Sequence, residues 1–394
     1  MHMTRMTTTL TVAMLTACGG GGGADDAGAA TPPAAPAGPL RATPLASGLT
    51  NPWSLAFLPD GRMLVTERPG RLRLVSADGR TVSPPIAGVP AVNAVGQGGL
   101  FDVALAADFA DTRRIFLSYA EPGSGTEAGR NGLAVGSAVL NAEATALNGW
   151  QVIYRQAPKV ASSGHFGGRI VVAPGGLLYV TLGDRQLDSE RGKAQDLSQG
   201  HGKIVRIRAD GSAPPDNPFI GRAGAQPTTW SYGHRNVQGA ALHPTTGELW
   251  ATEHGPQGGD ELNRVQRGAN YGWPLVSYGC EYGAPVGNCA PVGGASTGPG
   301  FEPPVSHWVP TSIAPSGLAF YTGSRFPEWR GHLFMGALAG QALWRIELDG
   351  NAVVTREALP TGLRERIRDV RQGPDGWIYL LTDSGNGRLL RIER

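Results

Sequence analysis

Residues 169–184 read RIVVAPGGLLYVTLGD, two apolar runs joined by a proline–glycine turn. Apolar and polar residues alternate as in half-buried strands, and Pro174-Gly175-Gly176 suits a tight reversal, so the stretch is predicted to be a β-hairpin. The same phrase returns as SLAFLPDGRMLVTE (54–67), DVALAADFADTRRIFLSYA (102–120), GAALHPTTGELWATEHG (239–255), GLAFYTGSRFPEWRGHLFMGAL (317–338) and DVRQGPDGWIYLLTD (369–383). Six copies, spaced unevenly at roughly 50 to 75 residues, predict an all-β fold, a six-bladed β-propeller in which each copy supplies two strands of a blade. Segments such as RLRLV (71–75), KIVRIRADG (203–211), ALWRIELDG (342–350) and RLLRIER (388–394) are expected as outer strands. LRATPLASGL, from Leu40, is expected to pair with the last blade and close the ring, because an open sheet would leave an edge exposed. A β-sandwich is the alternative, but two packed sheets need neither this length nor this repeat.

Composition agrees with many short strands. Glycine supplies 59 of 394 residues, about twice the usual share, as tight turns require. Lys+Arg at 34 against Asp+Glu at 32 leaves no polybasic face for nucleic acid or an anionic membrane, so a small-molecule partner is favoured.

The N-terminus carries a different message. MHMTRMTTTLTVAMLTAC combines Arg5, a short apolar stretch from Leu10 and small residues before Cys18, which reads as an export signal over residues 1–17, too short to span a bilayer. Leu15-Thr16-Ala17-Cys18 resembles a bacterial lipobox, implying a lipid anchor on Cys18 and a periplasmic, membrane-anchored lipoprotein; an ordinary cleaved signal is the alternative. Residues 18–39, rich in glycine, alanine and proline, read as a flexible tether, leaving 40–394 for the propeller. Export also bears on Cys280 and Cys289, which are expected to form a disulfide contributing about 2–4 kcal/mol; two buried thiols are the alternative.

Propellers gather function in the loops at one mouth of the channel, so a functional set should be scattered in sequence yet recur at equivalent places in the repeat. Gln97, His165 and the pair Arg235-Asn236 precede the second, third and fourth copies, and Arg366 and Arg368 precede the sixth. Asp184, and EHGPQGGDE from Glu253, follow the second strands of their copies. Singly, each has a plainer reading: a turn histidine, a solvated arginine face, an acid capping a turn, as for Asp260.

In order along the chain stand GQGGL, HFGGR with LGD nineteen residues after its histidine, GHRN, EHGPQGGDELN, NYGWP, APSG and RIRDV. From about Leu40 onward this set resembles the soluble pyrroloquinoline quinone (PQQ) dependent sugar dehydrogenases, especially the aldose sugar dehydrogenase branch. The resemblance implies PQQ- and calcium-dependent oxidation of aldoses at C1 to lactones, with electrons passed to a separate acceptor. It implies PQQ contacts from Gln97, His165, Arg235, Asn236, Arg366 and Arg368. Ca2+ would lie against the quinone on the carbonyls of Gly255 and Pro256, and a second, structural Ca2+ on Glu261 and the backbone of Tyr271. His165 would be the general base, Asp184 would orient its imidazole and favour its charged form, and Arg235 would stabilise charge on the quinone. The glycines of GHFGGR would let the backbone run close beneath a flat quinone.

Chemistry is consistent with those assignments. Guanidinium groups hold planar carboxylates with paired donors, calcium accepts carbonyl oxygens, and a neutral imidazole takes a proton near neutral pH. Two departures stand out. The glucose-specialised branch has a PQQ-binding lysine where GALAGQALWR offers Ala339 and Gly340, and its substrate-covering aromatic is matched only approximately by Trp308. A shallow site taking several aldoses follows. The rivals are an exported calcium-dependent lactonase of the same fold, which needs carboxylates around a channel metal, and a non-enzymatic propeller binding sugar or protein. Arg169 is left without a role beyond a contact with the neighbouring blade.

Overall fold

A computed structural model describes residues 38–394; the leader at 1–17, Cys18 and all but the last two residues of the tether lie outside them. The six repeats are six antiparallel sheets, whose innermost strands are Pro52–Phe57, Leu100–Leu105, Gly167–Val172, Val237–Leu242, Pro315–Phe320 and Ile367–Gln372. Each inner strand packs against the next and the sixth against the first, so the ring is closed. Arg41–Leu49 pairs antiparallel with Gly387–Glu393 and forms the outermost strand of the sixth blade, as the closing segment was expected to do. The segments expected as outer strands are third strands; the first blade stops there, and the other blades add a fourth. Helix is confined to single turns, and among the described residues no helix is long and apolar enough to cross a membrane.

Two devices repeated around the ring shape the functional end. In every blade the pairing of inner and second strands slips where the inner strand begins: between Pro52 and Ser54, Leu100 and Val103, Val237 and Gly239, Pro315 and Leu318, and Ile367 and Asp369. In the third blade the slip lies between Val180 and Leu182, opposite Gly167. Such bulges twist the strand and re-aim side chains at the mouth. One residue further into the sheet, second-strand hydroxyls staple neighbouring blades. Thr66 donates to the carbonyl of Phe101, Ser118 to Gly168, Thr181 to Val237 and Thr252 to Ser316. The fifth blade has Gly336 at this position and uses Ser316 instead, which donates to Ile367; a Cβ on Gly336 would stand 2.5 Å from the Ser316 hydroxyl.

Apolar side chains fill the spaces between adjacent blades, such as Leu64, Leu72, Leu100, Leu117 and Leu140 between the first two. The centre is polar. Arg169, 1% exposed, reaches Asp102 of the second blade at 3.3 Å and Asp369 of the sixth at 3.2 Å, and lies over Trp53 of the first. Arg371 bridges the same two aspartates at 3.2 and 3.0 Å. The residue left without a role in the sequence is therefore a hub tying non-adjacent blades across the channel.

Candidate functional site

His165 sits in the bulge that opens the third blade, with φ of 44°, in the left-handed region that a residue with a side chain occupies only when its surroundings hold it there. Its backbone N–H donates to Gln97 Oε1 at 2.9 Å, and its Nδ1 lies 2.7 Å from Asp184 Oδ1. Asp184 follows the second strand of the same blade, so one hairpin supplies both. Asp184 Oδ1 also accepts the backbone N–H of Gln186 at 2.8 Å, and Oδ2 accepts the indole N–H of Trp273 at 2.8 Å. A carboxylate bonded to Nδ1 keeps the proton there and leaves the lone pair on Nε2, which makes no protein hydrogen bond among the described residues. The imidazole is pushed below its ordinary value by burial and by Arg235; Asp184 acts in the opposite direction but is outweighed. Asp184 is thus hydrogen-bonded to the ring and favours its charged form, but burial and Arg235 outweigh it.

The glycines around His165 answer to the chain's own packing. Gly167 and Gly168 have φ of 70° and 107°. A Cβ on Gly167 would stand 2.5 Å from the Thr181 carbonyl, and one on Gly168 3.1 Å from the Phe101 ring. Only Gly167 also faces the cavity, so room for a flat ligand is the lesser reason for them.

Four of the predicted ligand residues converge. A cavity of about 210 Å³ at the mouth is lined by Gln97, Asn236, Arg366 and Arg368, together with Arg68, Gln238, His254, Leu338 and Asp383. Its apolar wall is Trp53, Phe101 and Phe166, one from each of the first three blades, with successive ring centroids 5.5 and 5.4 Å apart. Asp383 Oδ2 receives Arg366 and Arg368 at 3.1 Å each, Arg368 donates to Gln238 at 3.0 Å, and Gln238 donates to Asn236 at 3.1 Å. With Asn236 Oδ1 accepting the Gly167 N–H at 3.2 Å, this chain of bonds fixes the polar wall across the third, fourth and sixth blades. Three guanidinium groups against one carboxylate leave the cavity cationic, and the Nε of Arg368 is buried with no hydrogen-bond partner among the described residues. His254 donates from Nε2 to the Pro315 carbonyl at 2.8 Å, and burial and Arg368 hold it neutral, at about 3.

The other predicted residues gather elsewhere. Arg235, Gly255, Pro256, Glu261 and Tyr271 line a second space of about 20 Å³, with Glu253 and Trp273. Arg235 donates through Nη1 to the carbonyls of His254 at 3.1 Å and Gly255 at 2.5 Å, and its guanidinium carbon is 5.2 Å from the ring centroid of Trp273 and 5.8 Å from that of Tyr282. Asn263 donates to both Glu253 (2.9 Å) and Glu261 (3.1 Å), and burial and the Glu253 charge push Glu261 well above the ordinary carboxylate range. His165 and Asp184 line neither space; Trp273 and the Asp184 N–H bond to the Arg235 carbonyl, 2.8 Å, link them to the second.

Two expectations are corrected. Trp308 lies at the outer edge of the fourth blade, 5% exposed and packed on Trp344, so it covers nothing at the mouth. Asp260 does not face solvent: it is fully buried and accepts from the backbones of Gly255, Ile313 and Ala314 and from the Ser312 hydroxyl, holding the fourth and fifth blades' loops together. Cys280 and Cys289 are disulfide-bonded. Sequence reasoning missed Arg68, Trp273 and Asp383. Arg68 and Asp383 directly follow second strands, and Asp184 lies two residues after one, so the repeat itself pointed to them; Trp273 stands inside NYGWP, one of the motifs of the resemblance, but nothing there shows that it reaches Asp184.

A family model described as Glucose / Sorbosone dehydrogenase matches residues 49–391. Aldose sugar dehydrogenase YliI of Escherichia coli (strain K12) is 45% identical over 361 residues, covering 91% of this chain and 94% of that protein. A crystal structure of a glucose dehydrogenase is 50% identical with a TM-score of 0.84, covering 90% of this chain and 99% of that one. The PQQ-bound form of aldose sugar dehydrogenase from Streptomyces coelicolor is 30% identical with a TM-score of 0.73, covering 91% and 99% respectively. With the matched span running from the closing strand through the sixth blade, the chain belongs to the Glucose / Sorbosone dehydrogenase family and is an oxidoreductase.

Proposed function

We propose that this protein oxidises aldose sugars at C1 to lactones, with PQQ bound in the larger cavity and His165 as general base. The observation that carries the reading is a neutral, carboxylate-oriented imidazole beside a cationic cavity with an aromatic wall. That cavity suits a flat polyanion: Arg68, Arg366 and Arg368 supply charge, Gln97 and Asn236 supply amides, and the orphaned Arg368 Nε awaits an acceptor. Leu338 stands before Ala339, where the family's lysine would come, and Arg68 is a cation that can compensate for it. The smaller space sets the Glu261 carboxyl, whose ionisation burial and Glu253 oppose, beside the carbonyls of Gly255 and Pro256, oxygen donors of the kind Ca2+ takes. The Pro256 carbonyl accepts no hydrogen bond among the described residues, and the Gly255 carbonyl keeps a second lone pair beyond the one facing Arg235.

When bound, PQQ supplies a two-electron acceptor for the C1 hydride, its electrons going on to an external acceptor. His165 Nε2 takes the proton of the C1 hydroxyl, and Asp184 stabilises the imidazolium this creates. Arg235, which lines the smaller space, is near enough to His165 to disfavour its protonation and would add positive charge near the reacting atoms. A lactonase is less well supported, because Asp383, the cavity's carboxylate, is already shared by two arginines. The leader, the lipobox at Cys18 and the Cys280–Cys289 disulfide together support work in the periplasm on a lipid anchor. The test is to load purified apoprotein with PQQ and Ca2+ and follow dye reduction with a panel of aldoses and alcohols. Aldose-dependent reduction is expected; absence of PQQ binding at micromolar concentration would sink the reading.

A further inference from the structure

We infer that the loop closed by the Cys280–Cys289 disulfide is a clamp that presets the Pro256 carbonyl for Ca2+, so that calcium affinity depends on the intact cross-link. The inference rests on the calcium reading of the smaller space. Pro256 lines that space but is harder to hold than its neighbour. Gly255 is anchored by its own N–H, which donates to Asp260 Oδ1 at 2.9 Å. Proline has no N–H to donate, and its carbonyl must stay free if it is to face an ion. After Gln257 come Gly258 and Gly259, with φ of 75° and 67°, residue types that give the chain its widest freedom. The hold on the Pro256 carbonyl therefore has to act through Gln257.

The geometry of one peptide group makes that hold direct. The Pro256 C=O and the Gln257 N–H share a planar trans peptide and point opposite ways, so fixing one fixes the other. The Gln257 N–H donates to the Cys280 carbonyl at 2.9 Å, which turns the Pro256 oxygen away from Cys280. The Cys280 N–H returns a bond to the Gln257 carbonyl at 3.0 Å. The Gln257 side chain adds two more, accepting from the Gly283 N–H at 3.2 Å and donating to the Ala284 carbonyl at 2.6 Å. All of these partners lie in the disulfide loop. On its other side Cys280 bridges to Pro291, two residues past Cys289, and the disulfide cinches this small ladder. The chain leading into the loop also walls the smaller space, through Val276 and Ser277. A Cβ on Gly279 would stand 2.9 Å from Pro256 Cγ, so the packing against the turn is tight. With the cross-link gone, the ion itself would have to order Gln257 and the Pro256 carbonyl, and calcium affinity follows the rigidity of its ligands.

Two variants test this by calorimetric titration of Ca2+ into the chelator-stripped protein. One is the double variant Cys280→Ser with Cys289→Ser. The other is Gln257→Met, which keeps the disulfide and the side-chain length but removes both side-chain bonds to the loop. Each should raise the Ca2+ Kd at least fivefold, and the rise in unfolding temperature at a fixed Ca2+ concentration should shrink in each against its own EDTA baseline. A disulfide serving stability alone would lower the EDTA baseline and leave Kd where it was. A smaller rise in Kd in either variant overturns the clamp; if the double variant does not fold, Gln257→Met decides. A parent that takes up no Ca2+ overturns the calcium reading and the clamp with it, which separates that failure from a fault in the clamp alone.

Discussion

Replacing Asp184 with asparagine changes one atom and disturbs three bonds. The carboxylate accepts from His165 Nδ1 at 2.7 Å, from the Gln186 N–H at 2.8 Å and from the Trp273 indole at 2.8 Å, all in a buried setting. Asparagine has one acceptor oxygen. Turned toward His165 and Gln186, it sets its amide hydrogens against the Trp273 N–H. Turned the other way, it opposes the Gln186 N–H and drives the imidazole proton onto Nε2, the nitrogen that must be free. Either arrangement orphans a buried donor, so stability should fall by about 1–3 kcal/mol. The imidazolium also loses a hydrogen bond to a charge, worth about 1.5–3 kcal/mol, which lowers kcat about 10- to 160-fold at roughly 1.4 kcal/mol per decade. The pH profile gives an independent check. Burial and Arg235 already place His165 below its ordinary value, and activity falls as pH drops through that value because the base becomes protonated. Asp184 opposes that lowering, so removing it should move the acidic limb to still lower pH. Steady-state dye reduction across pH, with thermal unfolding to separate stability from turnover, measures both. A kcat within threefold of the parent, with the limb unmoved, would refute the role given to Asp184.

Two further outcomes test the rest of the framework. Ca2+ added to the apoprotein should raise its unfolding temperature, by about 2.7 kcal/mol of stabilisation at a hundredfold excess over Kd, and Glu261→Gln should abolish most of that gain; equal calcium responses in the two proteins would place the ion elsewhere. Arg169→Met should cost about 3–5 kcal/mol in urea unfolding, because Asp102 and Asp369 lose a buried partner, while KM stays within threefold; a loss under 1 kcal/mol would show the hub to be dispensable.

The hub also explains how a ring of separate sheets holds a site to close tolerance. Neighbouring blades share apolar side chains and the hydroxyl staples, but those ties are pairwise. Arg169 and Arg371 join the first three blades and the sixth beneath the cavity, and the Asp383–Arg368–Gln238–Asn236 chain joins the third, fourth and sixth above it. His165, in a left-handed bulge, is held in one orientation by Gln97 of the second blade and Asp184 of its own.

Local pattern determined the blades. Alternating side chains and the turn residues of RIVVAPGGLLYVTLGD act within a few residues of chain, so each hairpin was readable alone and six of them implied the ring. Recurrence within the repeat likewise marked His165, Asp184, Gln97, Asn236, Arg366 and Arg368, because loops at one mouth come from equivalent positions. Tertiary structure alone decided which of these share a space. Gln97 and Arg368 face one cavity while Arg235 and Glu261 face another, although the sequence offered them as one set. It alone showed that Trp308 lies at a blade edge, and that Trp273 completes the Asp184 acceptor set from 89 residues away. The reason is geometric: a hydrogen bond or an aromatic contact depends on distances of a few ångströms between blades, and no spacing along the chain encodes how far each blade turns before meeting the next.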